Sequence, residues 1–80
     1  MKVPRDVSGL QLVRALQRFG YVLVRQTGSH ARLTTTQHGT HHVTVPMKKA
    51  MRIGTLTTIL HEVADHAGMT RDELRDALNI

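Results

Sequence analysis

The spacing of apolar residues changes twice along this chain, and few folds satisfy both changes. Leu12, Val13, Leu16 and Phe19 lie on one helical stripe. From His30 the apolar positions alternate instead. Ala31 and Leu33 oppose His30, Arg32 and Thr34, and Val43 and Val45 oppose His42 and Thr44. Helical spacing returns at Leu56, Ile59, Leu60, Val63 and Ala67. A helix, a stretch of strands and a second helix follow from this pattern.

Turn and cap residues divide the segments. Ser8 is a good N-cap and Gly20 a good stop, which predicts a helix over Gly9 to Phe19. Tyr21 to Thr27 is β-branched and apolar, a strand by composition. Gly28-Ser29 and Gln37-His38-Gly39 are turn signals, which leaves His30 to Thr35 and His41 to Val45 as further strands. Pro46 ends the last of them. Met47 to Ile53 is a basic connector, Gly54-Thr55 opens the second long helix, and Gly68 closes it. Thr70-x-x-Glu73 is a capping box with Met69 and Leu74 placed as its staple, so a short helix is expected over Arg71 to Leu78.

The expected architecture is α+β, in the order α-β-β-β-α with a short C-terminal helix. Three consecutive strands joined by short turns make an antiparallel sheet. Packing both helices on one sheet face buries every apolar stripe at once. The other face is then open and carries His30, Arg32, Thr34, His42 and Thr44. A chain of 80 residues allows one small domain, read as spanning residues 1–80.

Composition removes several functions. There is no cysteine, which excludes disulfide scaffolds, cysteine zinc sites and thiol catalysis. One Phe, one Tyr and no Trp weaken any reading that stacks bases on rings. No apolar run approaches the ~20 residues of a membrane span, and Met1 to Leu10 has no apolar core of a signal peptide. A cytoplasmic protein is expected.

Charge is distributed unevenly. Residues 1–61 hold nine Lys/Arg and one acid, a balance of +8, whereas residues 62–80 hold five acids and two Arg, a balance of −3. A polyanion is the natural partner of the first segment, and nucleic acid is the commonest.

Six histidines raise the question of a metal. His61-Glu62 to His66 fails the zincin motif, because a step of five sets the two rings about 140° apart on a helix. They read as surface histidines. His41 and His42 are strand neighbours and point to opposite faces. His30 and His42 could share the open face but lack further ligands there. Two-metal phosphodiester cleavage needs clustered carboxylates, and the sheet region has none. No cofactor is expected. Metal-free cleavage of RNA stays open, since a histidine near Arg and Lys supplies the base or acid and the cations it needs. Ser8 and Ser29 are the only serines. Ser29 directly precedes His30 and reads as a turn residue, badly placed for activation by that ring.

Gly20-Tyr21, Arg25-Gln26-Thr27-Gly28-Ser29-His30, Val45-Pro46 and Gly54-Thr55-Leu56 with Ile59-Leu60 resemble, in order and spacing, the HicA family of toxins. The resemblance runs from the first helix to about Leu78. It implies a double-stranded-RNA-binding-domain-like fold, cleavage of mRNA, and inhibition by a HicB-like antitoxin. It places a catalytic role on His30, the histidine of Gly-Ser-His. The chain departs from the family pattern at Met47-Lys48-Lys49, where a histidine is frequent, and at Arg32-Leu33, where an aromatic is frequent. Arg25, Arg32, Lys48 and Lys49 are candidate phosphate contacts, and Lys49 and Arg52 can also steer RNA. A non-catalytic module that binds double-stranded RNA is the alternative on the same features.

Overall fold

The computed structural model describes residues 6–80. Lys2 and Arg5, counted among the cations above, lie outside the described residues. The element order is α1 (Gly9–Phe19), β1 (Val22–Gln26), β2 (His30–Thr35), β3 (His41–Pro46), α2 (Ile53–Ala67) and α3 (Arg71–Leu78). The strands form one antiparallel sheet in the order β1-β2-β3. This is the α+β arrangement that the change of period predicts. No helix among the described residues is long and apolar enough to cross a membrane.

Local chemistry accounts for the boundaries. Ser8 accepts from the Gln11 N–H while the Gln11 side chain accepts from the Ser8 N–H, a capping box that starts α1. Gly20 ends it at φ +118°, a conformation that suits glycine. Thr70 and Glu73 form the capping box expected of α3. α2 starts at Ile53, one residue before the Gly54-Thr55 signal, and its N-cap Arg52 makes no side-chain capping bond.

The core lies between the helices and one sheet face. Leu12, Val13 and Leu16 of α1 and Leu56, Ile59, Leu60 and Val63 of α2 are buried together with Ala31, Leu33, Val43 and Val45. Leu74 and Leu78 of α3 close the same core. Phe19 is only partly buried at its edge.

β1 is less regular than its composition implies. Its register against β2 shifts between Leu23 and Arg25, so Val24 bulges out of the ladder. Val22 and Val24 are 62% and 56% exposed, although their types favoured burial.

One contact fixes the start of α1 against the end of β3. The Gly9 N–H donates to the Lys48 carbonyl at 2.9 Å. A Cβ on Gly9 would come within 2.8 Å of the Met47 Cα, so the approach requires glycine.

Candidate functional site

The open sheet face is organised in rows set by the strand register. His30 pairs with Pro46 in the first row. Arg25, Arg32 and Thr44 form the second, and Val22, Thr34 and His42 the third. Directly opposed residues share a face, so the side chains of each row stand together. His30, Arg25, Arg32, Thr44 and His42 are all exposed.

His30 begins β2 and its surroundings hold it tightly. The Thr27 N–H donates to the His30 carbonyl at 2.9 Å, and the His30 N–H donates to Thr27 Oγ1 at 3.1 Å. The Met47 N–H donates to the Ser29 carbonyl at 2.8 Å, which ties the basic connector to the Gly-Ser-His turn. The ring is held as well, since Ser29 Oγ lies 3.0 Å from His30 Nδ1. Ser29 lies in the turn expected of it, but its hydroxyl reaches the neighbouring ring, a contact that adjacency in sequence did not suggest. Gly28 has no positive φ, and a Cβ there would meet nothing within 4 Å. The fold itself does not require glycine beside His30.

Arg25 and Arg32 face each other across the β1–β2 ladder in the row beside His30. No Asp or Glu occurs between Asp6 and Glu62 to neutralise them from the sheet. Lys48 and Lys49 are exposed in the connector after β3. The bond from Met47 to Ser29 brings that connector to the same end of the sheet as His30. Lys49 and Arg52 lie further along it.

The other histidines divide into two groups. His42 sits in the third row, with Nδ1 2.7 Å from Thr34 Oγ1. Four residues of β2 separate its row from that of His30, about 13 Å of strand, so the two rings do not converge. His41 faces the opposite way. Its Nδ1 lies 2.8 Å from the Tyr21 hydroxyl, and its ring stacks on His66 with centroids 4.5 Å apart. His66 is therefore not the plain surface histidine the sequence suggested. Its Nε2 donates to the carbonyls of Gln37 and Gly39 at 2.9 and 3.0 Å, and so ties α2 to the β2–β3 turn. Its sequence spacing gave no sign of this role, which depends on the turn it meets. Burial lowers the His41 pKa, and the neighbouring His66 lowers it further.

Fold and site together define a small α+β protein with one cationic, open sheet face and a fixed histidine at its rim. A family model described as "HicA toxin of bacterial toxin-antitoxin" matches residues 9–69. The chain belongs to this family and is a toxin of a toxin–antitoxin system. The matched span covers α1 to α2 and stops before α3. No curated protein and no solved structure matches the chain.

Proposed function

We propose that the toxin is a metal-independent endoribonuclease that cuts mRNA in the cytoplasm, with His30 as its acid–base group. The observation that carries this reading is the first two rows of the open face. A fixed, exposed imidazole stands beside two unneutralised guanidiniums. Like charges set opposite each other cost stability, and an anion between Arg25 and Arg32 removes that cost.

The chemistry follows from the groups present. Ser29 engages Nδ1 and leaves Nε2 as the nitrogen that faces substrate. Acting as base, Nε2 takes the proton of a ribose 2′-hydroxyl. The 2′-oxygen then bonds to phosphorus, and the bond from phosphorus to the 5′-oxygen breaks. That oxygen leaves with a proton from water or from the imidazolium. Arg25 and Arg32 hold the charge that develops on phosphorus, and Lys48 and Lys49 hold flanking phosphates. The products are a 2′,3′-cyclic phosphate and a 5′-hydroxyl. A HicB-like antitoxin silences the toxin by laying an acidic or aromatic surface over this face.

The test is incubation of the purified protein with RNA in excess EDTA. Cleavage within about a factor of two of the untreated rate is expected, since no step uses a metal. Binding should weaken with salt at a log–log slope of roughly −3 to −4, for about five cations on a single strand. Cleavage that requires added magnesium or zinc would overturn the mechanism. Tight binding without any cleavage would leave the non-catalytic double-stranded-RNA module.

A further inference from the structure

We propose that the groove between β3 and α2 is a nucleotide subsite that reads a base through Glu62 and favours guanine. The proposal rests on the ribonucleic-acid reading above and concerns a different part of the surface. The groove has a volume of about 750 Å³ and is lined by His42 and Thr44 from β3 and by Arg52, Thr55, Thr58 and Glu62 around α2. Thr55, Thr58 and Glu62 recur at helical spacing, so one face of α2 forms its wall.

The lining is bipolar. Arg52 caps the start of α2, and Glu62 lies ten residues on, about 15 Å along the helix axis. Thr44, Thr55 and Thr58 line the groove between them. A run of phosphates fits the Arg52 end and is repelled at Glu62. A nucleotide carries an anion at one end and a hydrogen-bonding base at the other, which matches both ends.

A carboxylate only accepts hydrogen bonds, and its two oxygens suit two adjacent donors. Guanine presents a ring N–H beside an amino group on one edge. Adenine and cytosine present an amino group alone, and uracil a single ring N–H. Glu62 is also the first acid after Asp6. Thr58 donates its hydroxyl proton to the Gly54 carbonyl at 2.9 Å, so toward a ligand its oxygen acts as an acceptor. The wall thus favours donor-rich bases twice over.

The groove continues the open face. Thr44 belongs to the Arg25–Arg32 row and His42 to the row beyond it. A strand with its cleaved phosphate at His30 reaches the groove about 13 Å further along β2. The subsite therefore selects a base near the cut and not at it.

The experiment titrates isotope-labelled toxin with GMP, AMP, CMP and UMP and follows backbone amide shifts. GMP should move the amides of Thr44, Thr55, Thr58 and Glu62 and bind about tenfold more tightly than UMP, the worth of one charge-assisted contact. Glu62→Ala and Glu62→Gln should each bring GMP close to UMP. Equal affinity for the four nucleotides, shifts elsewhere on the surface, or an unchanged GMP preference in Glu62→Ala would each overturn the proposal. The readout needs no cleavage, so failure of the ribonuclease reading shows separately in the EDTA assay.

Discussion

Two histidines in this protein have the same kind of partner and different surroundings. His30 has Ser29 Oγ 3.0 Å from Nδ1, and His41 has the Tyr21 hydroxyl 2.8 Å from Nδ1. A hydroxyl at Nδ1 therefore does not distinguish an exposed histidine from a packed one. The rest of the ring does. His41 is half-buried and stacked on His66, whose Nε2 is committed to two carbonyls. His30 is exposed at the start of a strand, in the row beside Arg25 and Arg32. One setting uses the imidazole to join elements. The other leaves it exposed on the sheet face, where the proposed mechanism needs it.

The comparison breaks most directly by removing each ring. His30→Ala deletes an exposed side chain with little buried area, so folding should be nearly unchanged. Loss of a general acid–base typically costs about 10² to 10⁴ in rate, and RNA cleavage should fall by that much. His66→Ala should show the reverse. It frees two carbonyl acceptors and the stacked face of His41, a loss of about 1–2 kcal/mol in stability with cleavage retained. Measured rates and urea midpoints for both variants decide the matter. A His30→Ala protein that cuts RNA at the wild-type rate would remove His30 from the mechanism, and His42 becomes the next residue to test.

Ser29 separates the two settings on a smaller scale. If its hydroxyl orients the His30 ring, Ser29→Ala costs one hydrogen bond, about 0.5–1.5 kcal/mol, or about two- to tenfold in kcat. KM should stay constant, because the phosphate contacts proposed above come from other residues. Ser29→Thr keeps a hydroxyl and should recover most of the loss. A change in KM with constant kcat would mean that Ser29 touches RNA instead of His30.

Much of this was legible in the sequence, for physical reasons that differ by region. α1, β2 and α3 have the expected ends because caps and turns are local chemistry, as in Ser8 with Gln11 and Thr70 with Glu73. The position of His30 on the open face follows from alternation with Ala31 and Leu33. The bulge at Val24 was not legible, since it depends on how β1 meets β2. Nor was the role of His66, which depends on a turn 27 residues away at Gly39. The turn at Ser29 was legible from its composition, but the contact of its hydroxyl with the His30 ring was not, since it depends on how the turn meets the strand.

Tyr21→Phe tests the packed setting without disturbing its shape. Tyr21 is buried, and its hydroxyl meets His41 Nδ1. Removing the oxygen keeps the ring's apolar contacts and strands one nitrogen. The expected loss is about 1 kcal/mol of stability, with RNA cleavage unchanged. An equal loss of cleavage would show that the two histidine settings communicate through the sheet.

The smallest effect concerns pH and belongs to the packed setting of His41. Burial lowers the His41 pKa from its ordinary 6.5, with help from His66 and His42 and against the opposing charge of Glu62. The folded protein therefore binds a proton at His41 only at lower pH than the unfolded chain does. Between the two values the unfolded state holds more protons, so stability rises with pH through that window. Above 6.5 both states are neutral and His41 contributes no slope. As pH falls below that value, stability should decline until the folded form also protonates. Glu73, held below its usual 4.5 by its bonds to Thr70, loses its contribution only in a more acidic range. Urea midpoints at about pH 7.5 and about pH 5.5 lie on either side of the ordinary histidine value. The wild-type midpoint should be lower at the acidic end, and His41→Gln should reduce the difference between the two. A His41→Gln protein with the full wild-type difference would place the pH dependence on another histidine and remove His41 as its source.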